Sequence, residues 1–253
     1  MEQILTFGLV CPFWASFRNP STVNVHVTYP FPPPTTLYGL LNAARGWPQD
    51  WCPDRNDWQI SLVVESRGTM METFSKVMKA YEDKRSRQER EEKENTTKGF
   101  FDRTTLVRQK LMGVRYFVYL RASQDLLAEA QQALRNPRWP LYLGESDDVV
   151  DIASPHIVNV SPKPVQRIHS IVSGIVEGCQ LFKVPIRFNE LRKGNWSADY
   201  QIYSLPPVGE GIELGQTVLA YPIEGRNIVF NGRENYSGKA QLLIEPVWNR
   251  NKA

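Results

Sequence analysis

The sequence has few cysteines and histidines and lacks a long apolar segment. Three cysteines stand among its 253 residues, at positions 11, 52 and 179, and no C-x-x-C pair occurs. This spacing argues against a disulfide framework or a zinc site and predicts buried, reduced thiols. No apolar run approaches the roughly 20 residues of a membrane-spanning helix, and no signal peptide follows Met1. We therefore expect a soluble, cytoplasmic protein that makes no membrane contact.

The sequence also lacks the common catalytic and cofactor motifs. It contains no Walker loop, no Gly-x-Ser-x-Gly, no His-Glu-x-x-His and no motif of paired carboxylates. The three histidines, His26, His156 and His169, form no cluster along the chain. We therefore expect no cofactor and no metal site.

Positive charge is concentrated in one part of the chain, although the net charge is only +3. The segment 98–121 carries six basic residues and one acid, Asp102. Such a local excess is typical of a surface that binds a polyanion. The basic residues are Lys98, Arg103, Arg108, Lys110, Arg115 and Arg121.

The segment 29–46 joins a proline run to a short helix. The proline rings at 30–34 exclude a helix interior and predict a stiff, solvated, extended lead-in. We expect Thr35 or Thr36 to cap the helix and Gly46 to end it. The helix N-terminus suits a phosphate; the alternative is that the prolines only set a tight start for a core helix. The predicted buried face consists of Leu37, Leu40, Leu41 and Ala44.

The same segment resembles a known family. Pro30–Leu41 reads Pro-Phe-Pro-Pro-Pro-Thr-Thr-Leu-Tyr-Gly-Leu-Leu, and a predicted strand within Ile4–Phe17 precedes it. This pattern is similar to the N-terminal motif of the "Cas five" family. Members of that family are CRISPR-associated RAMP proteins that hold the 5′ end of the guide RNA in type I Cascade complexes. The resemblance points to the type I-B or I-A branch.

Local patterns predict both strands and helices. Trp58–Glu65, Val114–Leu120 and Pro155–Val160 have the composition of strands. A helix capped by Ser123 places Leu126, Leu127, Ala130 and Leu134 on its apolar face. After residue 160, short strands alternate with Gly and Pro turns.

The resemblance, taken with these patterns, implies an α+β fold. We expect a ferredoxin-like (RRM-like, RAMP) βαββαβ palm over residues 1–160, which includes an arm over about 69–113. We expect a β-rich C-terminal extension over residues 161–253.

Two strand patterns predict which side chains are buried. In Val23–Val27 the valines alternate with Asn24 and His26, so we expect buried valines and an exposed histidine. In Val114–Leu120 one face is apolar, and we expect the other to be the working surface of the sheet. That second face consists of Arg115, Phe117 and Tyr119.

The arm segment supports two different structures. Thr69–Glu72 has capping-box spacing, and apolar residues recur at helical spacing as far as Tyr81. Local rules therefore predict a helix from Thr69 to Glu94 with a solvated, charged second half. The resemblance instead implies an often extended arm that enters a neighbouring subunit and kinks the guide RNA.

The return leg of the arm, Gly99–Gly113, combines basic and aromatic side chains. Cations hold an RNA backbone and flat rings stack on unpaired bases, so this pattern is typical of single-stranded RNA binding. The alternative is a surface loop with a few buried aromatics.

A later turn at Gly144 looks like the loop that packs close to RNA in RAMP proteins. The acids that follow it, Glu145, Asp147 and Asp148, would repel phosphate.

The resemblance implies a non-catalytic subunit of a type I Cascade surveillance complex that binds the 5′ handle of CRISPR RNA (crRNA) and caps the backbone. Its partners would be the crRNA handle, the "Cas seven" backbone subunit, the large subunit and, indirectly through the complex, target DNA. Ten residues are predicted to contact RNA: Arg18, Asn19, Thr35, Thr36, Tyr38, Arg45, Arg108, Lys110, Arg115 and Gly144.

Two alternatives to this function stand. One is a metal-independent endoribonuclease that cuts CRISPR repeat RNA, with Tyr38, His26 and Lys110 as candidates. A type I-C branch of the family uses a Tyr, Lys and His set, but here Lys110 is followed by Leu111 rather than by histidine. The other is a structural subunit that binds only proteins and leaves the basic arm solvated.

Overall fold

The computed structural model describes residues 1–22, 25–48, 57–78, 103–192 and 195–230. Its helices are α1 (Pro34–Arg45) and α2 (Gln124–Arg135). Within these ranges, neither helix combines the length and apolar character that a membrane crossing requires. The strands are β1 (Glu2–Val10), β2 (Trp14–Ala15), β3 (Val25–His26), β4 (Gln59–Ser66), β5 (Thr69–Met78), β6 (Arg103–Met112), β7 (Arg115–Arg121), β8 (Asp151–Val160), β9 (Lys163–Ile168), β10 (Val172–Ser173), β11 (Gln180–Arg192), β12 (Asn195–Leu205), β13 (Ile212–Ile223) and β14 (Arg226–Ile228).

The centre of the molecule is a four-stranded sheet with the order β4-β7-β1-β8. All neighbouring strands in it are antiparallel. Along the chain, α1 precedes β4, and α2 lies between β7 and β8. The protein is therefore a mixed α+β molecule made mostly of sheet, as predicted. The apolar faces of both helices are buried in one core cluster with side chains of β1 and β7, through Leu37, Leu40, Leu41, Ala44, Leu127, Ala130 and Leu134.

The second face of this sheet is covered by C-terminal strands. Tyr119 is fully buried there, and Phe117 is partly buried. The prediction of an open working surface on this face is therefore wrong, although Arg115 at the start of β7 stays exposed. The apolar and aromatic side chains of this face have a second layer to pack against. That layer consists of Tyr221, Ile223, Ile228 and Phe230.

Helix α1 begins two residues earlier than a cap at Thr35 requires. Pro33 is the N-cap residue and Pro34 the first helical residue, and no side chain makes a capping hydrogen bond. The prediction that Thr35 or Thr36 caps the helix is wrong, because a proline at the first position is already fixed at helical φ. Gly46 ends the helix in the left-handed conformation, with φ of 76°, as predicted.

The proline run is packed against the C-terminal strands and is not solvated. Pro32 and Pro33 are buried, and the ring of Phe31 meets Phe182 edge to face at 5.5 Å. The hydroxyl of Tyr29 donates a hydrogen bond of 2.7 Å to the carbonyl of Lys183. The two aromatic residues among the prolines draw the run into the core, which a reading of the prolines alone does not anticipate.

The arm consists of β5 and β6, paired antiparallel from Thr69 opposite Met112 to Met78 opposite Arg103. The predicted helix is wrong over Thr69–Met78, and the extended arm that the resemblance implied is correct there. Strand β6 also pairs with β2 and β3. The apolar residues of Thr69–Met78 have no core to pack against as a helix, so the hydrogen bonds to β6 determine the structure of this segment. Tyr81, the charged segment 82–94 and the aromatic residues 100–101 lie outside the described residues.

The C-terminal part consists of strands, as the turn-rich pattern predicted. Strands β10-β12-β11 form one sheet and β14-β13-β9 another. The predicted strands at 180–188, 199–204 and 216–222 fall within β11, β12 and β13. The predicted strand at 241–246 lies outside the described residues. A domain boundary at residue 160 stays a prediction.

Candidate nucleic-acid interface

Charged side chains from four chain segments meet at the base of the arm. Arg108 and Lys110 stand two residues apart on β6 and therefore share one face of it. Strand β3 pairs in parallel with β6 and sets His26 beside Arg108. The loop 142–149 adds carboxylates from a segment 37 residues further along the chain. We call this group the arm-base cluster: Arg18, His26, Arg108, Lys110, Glu145 and Asp148.

Asp148 is the fixed centre of this cluster. One carboxylate oxygen accepts the amide of Ser16 at 2.9 Å, the Ser16 hydroxyl at 2.6 Å and the amide of Glu145 at 3.0 Å. The other oxygen accepts Lys110 Nζ at 2.9 Å. With each oxygen bonded and the charge matched, a buried carboxylate becomes tolerable. Sequence analysis missed this role, because it treated the acids only as repellents of phosphate.

The ammonium of Lys110 is bonded to acids within the protein. Its ammonium also lies 3.3 Å from Asp147 and 5.1 Å from the ring centre of Trp14. Burial lowers the pKa of Lys110, but the hydrogen bond and charge of Asp148, followed by those of Asp147, raise it more, so the pKa lies above its ordinary value. A charge already matched in this way is poorly available to a phosphate. Lys110 thus joins the loop 142–149 to strand β6 of the arm. A direct RNA contact at Lys110 stays an untested prediction.

Arg108 and Glu145 form the outer pair of the cluster. Nη1 of Arg108 donates a hydrogen bond of 2.9 Å to the Glu145 carboxylate. Both side chains are about a quarter exposed, at 25% and 28%. Exposed ion pairs of this kind contribute only about 0–1 kcal/mol, so an anion from solvent can compete for the guanidinium.

The prediction for His26 is wrong, because the strand pattern is inverted at β3. His26 is only 9% exposed, whereas Val25 is 41% exposed. The side that faces the protein here is the charged cluster and not the apolar core, so valine spacing misassigns the faces. Burial lowers the pKa of His26 below its ordinary value of 6.5, the charges of Arg18 and Arg108 lower it further, and Glu145 raises it. Asn24, the other residue of that prediction, lies outside the described residues.

We expect the free energy of unfolding to fall as the pH drops below about 6.5. The pKa of His26 is lower in the folded protein than in the unfolded chain, so the unfolded chain binds more protons below this pH and is favoured. His169 acts in the same direction, because burial and the charges of Arg167 and Arg226 lower its pKa. Urea unfolding between about pH 7.5 and about pH 5.5 should show a shallower pH dependence for His26→Gln and for His169→Gln. If the stability of His26→Gln changes with pH as steeply as that of the wild type, the pKa of His26 is not lowered in the folded protein.

Arg18 and Asn19 border the cluster on an exposed turn. Arg18 is exposed, and its Nη2 donates to the carbonyl of Thr22 at 3.2 Å. The Asn19 side chain accepts the amide of Ser21 at 3.0 Å and so fixes the turn. The main chain of Asn19 bonds to Val27 and thus holds this turn beside β3. The structure therefore places the turn of Arg18 and Asn19 beside β3, the strand that pairs with β6 at Arg108, and RNA contacts at these residues stay a prediction.

The α1 residues of the predicted site are partly withdrawn from solvent. Thr35 and Thr36 lie in the first turn and are half-buried, and Tyr38 packs against the core cluster. The Arg45 side chain is 3% exposed and makes a two-fold hydrogen bond to Glu129 of α2, at 2.8 and 3.1 Å. Its guanidinium also stacks 3.4 Å from the ring centre of Trp47. The structure therefore assigns Arg45 to packing of the two helices and not to an open surface.

Gly144 has a structural explanation that sequence analysis missed. Its φ is +119°, and a Cβ there would overlap the carbonyl oxygen of Ser16. The loop therefore approaches the backbone of Ser16 more closely than any side chain permits. This contact holds Asp148 in reach of Ser16. An RNA contact at Gly144 stays a prediction.

The acids of the loop do not form a metal site. Among the described ranges, no group of three or more His, Cys, Asp or Glu side chains is arranged to hold a metal ion. The carboxylates of Glu145, Asp147 and Asp148 instead face the cations of β6.

These observations define an α+β protein with a paired-strand arm, at whose base the cations of β6 meet the carboxylates of the loop 142–149. The model of the family described as CRISPR-associated protein (Cas_Cas5) matches residues 5–192. This match spans most of the chain, and the protein belongs to that family.

Two solved structures match this chain over most of its length, and the first of them has a similar fold. A chain of a structure described as a CRISPR RNA-guided surveillance complex is 16% identical, with a TM-score of 0.51, over 89% of this chain and 91% of that chain. A CRISPR protein from Archaeoglobus fulgidus is 11% identical, with a TM-score of 0.48, over 90% of this chain and 99% of that chain. A comparison with curated protein sequences gives no match.

Proposed function

We propose that this protein is a non-catalytic subunit of a type I CRISPR Cascade surveillance complex that binds the 5′ handle of crRNA at the base of its arm. Family membership supports a role in CRISPR, and the surveillance-complex chain supports the fold. The observation that carries the RNA-binding proposal is the arm-base cluster. It sets the exposed Arg18 and the partly exposed Arg108 on one surface beside an extended pair of strands.

We interpret the central sheet as a ferredoxin-like palm. The order β4-β7-β1-β8, with one helix before β4 and one between β7 and β8, supports this interpretation. In this arrangement the arm leaves between the second and third strands of the palm. The open face that an RRM uses for RNA is occupied here by β13 and β14, so RNA contacts belong at the base of the arm.

The structure favours some of the predicted contacts over others. Arg18, Arg108 and Arg115 are at least partly exposed and can meet phosphates directly. We keep Asn19, Thr35, Thr36 and Tyr38 as further polar contacts to the RNA. Lys110, Arg45 and Gly144 act as positioning residues, since their side chains or backbone serve contacts within the protein.

The arm provides a surface for a protein partner. Met70 and Phe74 lie on the same face of β5, and both are largely exposed. Exposed apolar side chains on a strand suit burial in a neighbouring subunit. We assign this surface to the backbone subunit and another face to the large subunit, with target DNA reached through the complex.

The proposal is tested by RNA binding with charge-matched variants. Purified protein is mixed with end-labelled CRISPR repeat RNA in EDTA and run on native and denaturing gels. Replacing Arg18, Arg108 and Arg115 with Gln should weaken RNA binding about tenfold or more. The slope of the logarithm of affinity against the logarithm of salt concentration should become shallower by about two. The control replaces three exposed cations far along the sequence, Arg135, Lys163 and Arg167, with Gln.

Each result of this experiment has a defined meaning. Equal loss of affinity in the two variants would reduce the binding to net charge and contradict the assigned surface. A discrete cut in the RNA would favour the endoribonuclease alternative. Absence of binding, both alone and in an assembly with the backbone subunit, would refute the proposal and leave the protein-only alternative.

A further inference from the structure

The guanidinium of Arg108 has a carboxylate in the position where an RNA phosphate would bind. Its Nη1 donates to Glu145 over 2.9 Å, and this is the one side-chain hydrogen bond that the described residues give it. Its Nε–H is buried and has no partner among those residues. A guanidinium offers five donors in a planar fork that matches carboxylate and phosphate alike. Most of this capacity is unused while Glu145 is the partner.

The outer pair differs from the inner pair in exposure. The side chains of Lys110 and Asp148 are 5% and 0% exposed. Solvent ions therefore cannot separate them without opening the loop, whereas Arg108 and Glu145 are each about a quarter exposed. The inner pair, Lys110 and Asp148, holds the loop in place. In the outer pair, Glu145 covers the accessible guanidinium of Arg108.

His26 lies beside Arg108, and the charge of Arg18 acts on His26. His26 lies beside Arg108 in the parallel pair, and its Nδ1 is buried without a hydrogen-bond partner among the described residues. Arg18 is exposed and near enough for its charge to act on His26. A buried polar nitrogen without a partner is costly, and a ligand that bonds to it recovers that free energy. This unpartnered nitrogen is a second sign, independent of the ion pair, that a ligand binds beside Arg108.

We propose that Glu145 is an internal phosphate mimic. In the free protein its carboxylate is bonded to Arg108, and a backbone phosphate of single-stranded RNA replaces it beside Arg108 and His26, with the exposed Arg18 nearby. The released carboxylate stays near Lys110, whose Nζ is already 3.5 Å from it. RNA binding is then an exchange of one anion for another. This inference rests on the proposed RNA-binding function and adds the competing group within the protein.

The exchange predicts that removing the Glu145 charge strengthens RNA binding. The Glu145→Gln variant of the full chain should bind labelled repeat RNA about two- to fivefold more tightly than the wild type, because exposed ion pairs are worth this much. Its affinity should also fall more steeply with salt, by about 0.7 in the logarithmic slope, since no protein carboxylate is released. Direct binding titrations at several salt concentrations measure both quantities.

Asp147→Asn is the matched control. It removes the same charge from the same loop, but Asp147 is paired with Lys110 and not with Arg108. We expect a smaller gain in affinity from Asp147→Asn. In the background of Arg108→Gln, the further change Glu145→Gln should give no more than the small gain of Asp147→Asn, because the guanidinium that Glu145 covers is absent.

The outcomes separate the inference from the proposed function. If wild type and Glu145→Gln bind equally well, or if Asp147→Asn strengthens binding as much, the exchange is wrong and RNA binding stands. If no variant binds RNA, the RNA-binding function is wrong and the exchange with it. Binding by Glu145→Gln without binding by the wild type would support the exchange in its strongest form.

Discussion

The Asp148→Ala variant is expected to lose about 3–5 kcal/mol of its free energy of unfolding. The substitution leaves the buried ammonium of Lys110 without its nearest partner and leaves two groups of Ser16 without an acceptor. Removing one member of a buried ion pair costs more than the pair itself contributes, because the remaining charge stays desolvated. Chemical denaturation measures the loss, and far-ultraviolet circular dichroism reports whether the strands remain.

Asp147→Asn supplies the comparison for this experiment. Asp147 also contacts Lys110, but its side chain is exposed, so its loss should cost less than about 1 kcal/mol. The double variant Lys110→Met with Asp148→Ala should be more stable than the sum of the single changes predicts, because methionine removes the stranded charge. Equal losses from Asp147→Asn and Asp148→Ala would show that Asp148 is not the centre of the cluster.

The strands of the central sheet and its two helices could be predicted from local sequence patterns. Spacing on α1 and α2 selected the side chains that the core buries, from Leu37 to Ala44 and from Leu127 to Leu134. The strands β4, β7 and β8 were found from β-branched and aromatic composition. These elements are periodic, and each has one face against the same core, so local pattern and tertiary environment agree.

The local patterns of the arm and of β3 misled for a shared reason. Thr69–Met78 has helical spacing, and the valines at 23, 25 and 27 have strand alternation, but neither segment faces an apolar core. Pairing with β6 decides both structures, and β6 is distant in sequence from each. Local patterns assume that burial means apolar burial, and at His26 a charged cluster provides the burial instead.

The candidate site was predicted in parts and not as a whole. Arg18 and Arg108 were identified as cations, and Glu145 and Asp148 as acids, each within its own segment. Nothing in either segment showed that the acidic loop packs on the basic strand, which is a long-range contact. For this reason Lys110 was assigned to RNA, although the structure gives it to Asp148.

The Gly144→Ala variant is expected to lose about 3 kcal/mol or more of its free energy of unfolding. A methyl group there overlaps the Ser16 carbonyl oxygen and lies 2.9 Å from the Asp148 carboxylate, and the backbone conformation is itself unfavourable for alanine. Gly113→Ala is the matched control, since its φ of +72° is also left-handed but its added Cβ would meet nothing within 4 Å. Gly113→Ala should therefore cost only about 1–2 kcal/mol.

Stability and RNA affinity together decide why a glycine stands at position 144. If close packing against Ser16 requires it, Gly144→Ala should weaken the fold and should be strongly non-additive with Asp148→Ala, because both changes disturb the same contact between the loop and Ser16. If RNA requires it, Gly144→Ala should keep its free energy of unfolding and lose affinity for labelled repeat RNA. The first result would make the loop a support that fixes Glu145 in front of Arg108. The second would place RNA directly on the loop and contradict the packing explanation.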